Sequence, residues 1–238
     1  QNSYPGKTNI LLSKKANLIC TAYQGLEQFF PADKIKLTGN PVRKELSKET
    51  ISKPDAQALF GLSLEKQTIL ILGGSLGAKT LNDAMLEMIK SNKGGEIQFI
   101  WQCGKYYFEN LKSQVTEEKH QNIKLLPFIS RMDAAYSAAD VIVSRAGALS
   151  VSELCLVGKP VVLVPSPNVS EDHQTKNAMS LVRVSAAMMV KDSEAIKHLI
   201  ESAKSLLLDK ELSMSLSKNI SNLARPNATS DIVDAAEN

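Results

Sequence analysis

Short apolar runs alternate with longer segments whose apolar positions recur at helical spacing. The runs are "ANLICTA" (16–22), "KIKLTG" (34–39), "TILILGG" (68–74), "IQFIWQCG" (97–104), "IKLLP" (123–127), "DVIVSR" (140–145), "PVVLVPSP" (160–167) and "AAMMV" (186–190). Each reads as a β-strand. Between them lie helical patterns such as "LGAKTLNDAMLEMIKS", where Leu76, Leu81, Met85, Met88 and Ile89 approximate one apolar face, and "MDAAYSAA". Near-continuous apolar strands separated by helices need cover on both faces, so the pattern predicts an α/β protein with a doubly wound parallel sheet.

The pattern is interrupted once. "NPVRKELSKETISKPDAQ" (40–57) is polar, carries two prolines and reads as an interdomain linker. Residues 1–43 hold two strand candidates, too few for a sheet of their own, and are expected to close a second α/β domain whose front lies outside this sequence. Residues 44–222 form the main domain. Residues 223–238 form a helical tail, with Pro226 ending one helix and Thr229 or Ser230 capping the next.

With 28 basic and 25 acidic side chains, the net charge of +3 and the absence of a basic block point away from nucleic acid. Cys20, Cys103 and Cys155 match no metal spacing, and their placement in apolar runs suggests reduced core thiols of a cytoplasmic protein. No stretch approaches the roughly 20 apolar residues of a membrane span. The opening "QNSYPGKTNILLSKK" has neither an initiator Met nor the apolar core of a signal peptide, so the natural start is expected upstream.

Five stretches are able to carry chemistry. In "ILILGGSLGAKTLN" a strand runs through Gly73, Gly74, Ser75 and Gly77 into a helix. Such a turn suits a diphosphate at the helix start, and equally serves as a plain strand-to-helix turn; it matches neither the dinucleotide fingerprint nor a P-loop. In "SRAGALSVSEL" the helix opens on Ser150, Ser152 and Glu153. Ser150 and Glu153 have capping-box spacing; alternatively Glu153 accepts the two hydroxyls of a ribose. In "PSPNVSEDHQTKNAMSL", Gln174 and Asn177 share a helix face and suit sugar hydroxyls, while His173 reads as a solvated loop residue. Phe128 and Ile129 follow a strand, where an aromatic ring stacks on a base or staples the next helix. Arg43 either reaches a diphosphate or is a solvated surface charge. Ser75, Ile129, Glu153 and Gln174 follow successive strands and therefore share the carboxyl edge of one parallel sheet, where open α/β folds bind nucleotides.

Through "QNSYPGKTN", "TGNPVR", "GGSLGA", "PFISRMDAAYSAADVIVSRAGALSVSE" and "DHQTKNA", which follow one another in family order to about residue 178, the sequence resembles the MurG family. These are inverting glycosyltransferases with two Rossmann-like domains about a cleft, the GT-B fold. The resemblance implies transfer of N-acetylglucosamine from a UDP-GlcNAc donor to an undecaprenyl-diphosphate-linked MurNAc-pentapeptide acceptor, at the inner face of the bacterial plasma membrane. It implies uracil contacts from Phe128 and the Ile129 backbone, a ribose contact from Glu153, and diphosphate contacts from Ser75 and Arg43. The helix start formed by Ala148, Leu149, Ser150, Val151 and Ser152 is to face the sugar and phosphates, Gln174 and Asn177 the GlcNAc hydroxyls, and Asn2 the site from across the cleft. No metal and no other cofactor is implied. Leu76 and Ser150 stand where many relatives carry Gln and Thr. The acceptor site, membrane-facing patch and catalytic base belong to the family's N-terminal domain, outside this match, so the chain is expected to be mainly the donor-binding half. A soluble subunit of a split transferase, or another UDP-sugar enzyme of the same fold, is the alternative.

Overall fold

The structure, a computed structural model, describes all residues except 44, 45, 47–50, 117 and 238, and the side chain of Ser170. All eight predicted strands form: β1 (Ile19–Thr21), β2 (Ile35–Leu37), β3 (Thr68–Leu72), β4 (Gln98–Gln102), β5 (Ile123–Leu126), β6 (Val141–Ser144), β7 (Val161–Leu163) and β8 (Met188–Met189). The helices are α1 (Lys7–Ser13), α2 (Lys53–Leu59), α3 (Lys79–Lys90), α4 (Lys105–Lys112), α5 (Met132–Ala138), α6 (Ala148–Val157), α7 (His173–Val182), α8 (Ala195–Leu208), α9 (Lys210–Ser221) and α10 (Ala228–Glu237).

β3 to β8 make one parallel sheet in the order β5-β4-β3-β6-β7-β8, and β1 and β2 pair in parallel beside it. The chain leaves β3 in one direction across the sheet and β6 in the other, so the crossover point of a doubly wound fold lies between their tips. Side-chain alternation builds two cores. Ile69, Ile71, Phe99, Trp101, Val141 and Val143 point to the face covered by α3 and α8. Leu70, Leu72, Ile100, Ile142, Val161 and Leu163 point to the opposite core, shared with residues of α2, α5, α6 and α7.

Polar groups at the amino edge are satisfied internally. Asp140 accepts from the Thr68 amide at 2.8 Å and pairs with Lys53 at 2.5 Å. The buried Gln98 donates to the Ser63 carbonyl at 2.7 Å, and Ser52 caps α2.

Several local expectations are corrected. Leu76 is 83% exposed in the turn before α3, so the buried face of that helix begins at Leu81. Cys20 is exposed, whereas burial pushes the Cys103 thiol up to about 11 and that of Cys155 to about 12. α10 begins at Ala228, which places Thr229 and Ser230 inside the helix rather than at its cap. Much of the expected linker lies outside the described residues, though its end forms α2. The tail returns to β2: a Cβ on Gly39 would meet the Arg225 Cβ at 2.5 Å and the Ala228 Cβ at 3.3 Å.

Two glycines of the β3 turn share positive φ but differ in surroundings. At Gly74 (φ +80°) no atom lies within 4 Å of an added Cβ, whereas at Gly77 (φ +82°) it would lie 2.2 Å from the Cys103 carbonyl oxygen. Gly74→Ala is therefore expected to cost about 1–2 kcal/mol from backbone strain. Gly77→Ala should cost about 1–3 kcal/mol more from overpacking, a difference measurable by urea denaturation.

Candidate functional site

The carboxyl edge differs from the amino edge in leaving polar groups open. No side chain caps α3, α6 or α7, so their first-turn amides and the positive end of each helix face the edge. Ser75 is exposed at the tip of the β3 turn. The turn is held by Gln102, buried on β4, whose amide donates to the Gly74 carbonyl at 2.8 Å and the Pro127 carbonyl at 3.2 Å. One side chain thus fixes the β3 turn relative to the β5 turn.

Past β5, Phe128 is 50% exposed with the Lys105 ammonium 5.9 Å from its ring centroid, while Ile129 is buried at 3%. Ile129 is able to offer backbone groups and no side-chain surface.

Gly147 begins α6, so Ser150 lies within the first turn, with Ser152 and Glu153 in the second. The capping-box arrangement does not form, because Ser150 is already helical. Glu153 instead points to Tyr136 on α5 and to Arg43. Its Oε2 accepts from the Tyr136 hydroxyl at 3.3 Å, and its Oε1 lies 3.5 Å from the Arg43 Nε. Burial holds the Glu153 carboxyl above its usual range, against opposing pulls from the Arg43 charge and the Tyr136 hydrogen bond. This partly buried carboxylate and the more exposed Arg43 are therefore brought together at the edge.

Other named residues are committed to the protein itself. Val151 is buried in the core, and Ser152 accepts from Asn40 at 3.0 Å and donates to the Ala148 carbonyl at 3.1 Å. Ala148 and Ser150 are half-buried and Leu149 is exposed. The Oε1 of Gln174 accepts from the Ser166 amide at 2.9 Å and the Ala146 amide at 3.2 Å. Gln174 thereby joins the ends of β6 and β7, with its amino group as the side chain's remaining polar function. Asn177 departs furthest from the expectation of an open sugar contact. It is 1% exposed, accepts from the Ser3 amide and hydroxyl at 2.9 and 3.0 Å, and donates to Asn2 Oδ1 at 3.0 Å and the Ala146 carbonyl at 3.2 Å. With its hydrogen-bonding capacity used, Asn177 holds the N-terminal segment against α7, and Asn2 belongs to the same contact. His173 is half-buried rather than solvated, its Nε2 3.6 Å from Glu171.

Sequence reasoning missed four organising residues. Asn40 joins the segment after β2 to α6 by donating to Ser152 at 3.0 Å and the Gln1 carbonyl at 2.9 Å. Arg145 donates to the Val164 carbonyl at 3.1 Å and pairs with Asp192, which accepts from Thr80 at 2.9 Å; this links the β6 and β7 tips to α3. Gln102 and Tyr136 complete the set. Asn40, Tyr136 and Arg145 all lie within the quoted motifs, but nothing in their spacing reveals their partners. Among the described residues, no three His, Cys, Asp or Glu side chains gather as a metal-ion site.

The strand order, the crossover between β3 and β6, and the turns gathered at the carboxyl edge define a Rossmann-like α/β domain. The chain belongs to glycosyltransferase family 28, whose C-terminal domain matches residues 68–234. It is 52% identical over 234 residues to the UDP-N-acetylglucosamine–N-acetylmuramyl-(pentapeptide) pyrophosphoryl-undecaprenol N-acetylglucosamine transferase of Parabacteroides distasonis, covering 98% of this chain and 64% of that relative. The transferase of the same name from Flavobacterium psychrophilum is 54% identical, with 98% and 63% covered. This chain thus spans less than two thirds of their length. The crystal structure of Acinetobacter baumannii MurG superposes with a TM-score of 0.74 at 33% identity, covering 98% of this chain and 64% of that one. UDP-GlcNAc 2-epimerase from Neisseria meningitidis, solved with UDP-GlcNAc, shares the fold at a TM-score of 0.65 and 20% identity, with 99% and 65% covered.

Because the Tyr136 hydrogen bond and the Arg43 charge both favour the ionised carboxylate, Tyr136→Phe and Arg43→Gln should each move the Glu153 titration midpoint upward. Carboxyl-carbon NMR across an acid titration measures both displacements.

Proposed function

We propose that this chain supplies the donor half of an inverting N-acetylglucosaminyltransferase that acts in peptidoglycan precursor synthesis. The donor is UDP-GlcNAc and the acceptor undecaprenyl-diphospho-MurNAc-pentapeptide, with the whole enzyme working peripherally at the inner face of the plasma membrane. In this reading residues 1–43 belong to the acceptor-side domain, 44–222 to the donor domain and 223–238 to a helical tail. The observation that supports it is that Ser75, Phe128 and the α6 start with Glu153 follow β3, β5 and β6, whose tips end on one edge of the parallel sheet. Membership of family 28 and the names of the relatives support this choice of donor and acceptor.

Each group then has a physical task. The exposed Phe128 ring offers a stacking face to uracil, beside the Ile129 backbone. Glu153, once ionised, accepts from ribose hydroxyls. Ser75, Arg43 and the open amides of α3 and α6 meet the diphosphate. When the acceptor hydroxyl attacks the anomeric carbon from the opposite side, configuration inverts and negative charge grows on the departing UDP. Fixed amide dipoles and the Arg43 guanidinium stabilise that charge with little reorganisation. Gln174 keeps one amino group for a sugar hydroxyl, while Asn177 and Asn2 act by positioning. The base that takes the acceptor proton is assigned to none of these 238 residues.

Calorimetry with UDP tests the donor site. Binding is expected for this chain, and Glu153→Ala should weaken it by about 1–3 kcal/mol, the range for loss of a charged hydrogen-bond acceptor. Unchanged affinity removes Glu153 from the ribose role, and absence of UDP binding by the parent chain removes the donor-site reading.

The raised Glu153 titration gives a separate check with uridine, which has no phosphate to titrate. Uridine affinity should fall as pH drops through the Glu153 midpoint, starting at a higher pH than an ordinary carboxylate allows. Glu153→Gln should bind more weakly and show a flat profile over that interval.

A further inference from the structure

A cavity of about 640 Å³ opens between α6 and α7 on one side and the turns after β1 and β2 on the other. This volume suits a drug-sized molecule. None of Ser75, Phe128, Glu153 or Gln174 lines it; Val151 and Ser152 of α6 and Thr175 of α7 do, so it lies beside the strand-tip site rather than within it.

Its chemistry is graded from inside to outside. Val151, Cys155 and Leu181 are buried and give it an apolar floor. Tyr4 and Phe29 pack edge to face, with centroids 4.9 Å apart, and contribute an aromatic wall. The Tyr23 hydroxyl is buried with no hydrogen-bond partner among the described residues. Lys176, Arg183 and Arg225 also line the cavity, and among the described residues no Asp or Glu does. The Lys176 ammonium lies 3.4 Å from the Tyr4 ring centroid. Among the described residues, neither Arg183 nor Arg225 is paired with a carboxylate.

We propose that this cavity binds an amphipathic anion, its aromatic or alkyl body against the Tyr4–Phe29 wall and its anionic head between Arg183 and Arg225. An apolar interior alone would accept any hydrophobe of suitable size. Three cations without a lining acid select a molecule carrying negative charge at one end.

The probe is 8-anilinonaphthalene-1-sulfonate, followed by fluorescence with the full chain under native conditions. One saturable site is expected, unaffected by UDP. The Arg183→Gln/Arg225→Gln double variant should weaken it about tenfold, through loss of charge-assisted contacts. The neutral analogue N-phenyl-1-naphthylamine should show little change in that variant. Both arginines are exposed, which protects folding. Ser180→Trp, at the half-buried wall, provides an independent block and should abolish binding of both dyes.

Displacement by UDP, equal affinity in the double variant, or binding that survives Ser180→Trp in a folded protein would overturn the assignment. Such survival would instead point to the exposed Leu11 and Leu12 of α1. Competition then identifies the source of the anion. Displacement by monomeric decanoate supports a soluble molecule, displacement only by phosphatidylglycerol vesicles supports a membrane lipid, and displacement by neither overturns the proposal.

Discussion

Parallel pairing is the constraint on which the rest of this molecule depends. Strands that all run one way need a return path between them, and the helices supply it while covering both sheet faces. Every strand of the main sheet consequently ends on the same edge. Between a strand tip and the next helix start, exposed positions such as Ser75 and Phe128 vary without disturbing either core, while Gly77, Ile129 and Ala146 remain tied to the packing. Chemistry collects there because the turns are neighbours in space although distant in the chain. Residues 75, 128 and 153 follow β3, β5 and β6 and so lie beyond the same edge of the sheet.

The two edges show what such freedom means. At the amino edge, Asp140, Gln98 and Ser52 satisfy nearby backbone groups, and an ion pair with Lys53 adds to the closure. At the opposite edge, α3, α6 and α7 have no side-chain caps. Support there comes from below: Gln102 fixes two turns, Gln174 two strand ends, and Arg145 with Asp192 a third junction. The buried Gln102 and the half-buried Gln174, Arg145 and Asp192 hold the turns in place beneath the uncapped helix starts. This combination suits recognition of an anion by backbone dipoles.

The architecture was readable from periodicity because each strand is a short apolar run bounded by turn residues, and all eight appear where such runs lie. The parallel sheet followed once β-α-β units were recognised, whereas its strand order emerged only from the structure. Details at helix starts were less accessible. Ser150 and Glu153 have the spacing of a cap, yet Gly147 starts the helix earlier and sends Glu153 toward α5. Spacing along one helix carries no information about Tyr136, which approaches from another element. Asn177 likewise has the composition of a sugar contact. Its burial depends on Asn2 and Ser3, about 175 positions away in the chain. The motifs therefore identified a neighbourhood, whereas long-range packing distinguished exposed groups from their supports.

The contact between the N-terminal segment and the large domain has one further consequence. Its buried part relies on Asn40 and Asn177, neutral amides that donate to or accept from other neutral groups. Neither acidification within the physiological range nor added electrolyte alters the charge of such a joint. The amide contacts of the joint are therefore electrically silent, whereas the Arg43–Glu153 pair that links the same two parts responds to acid and salt.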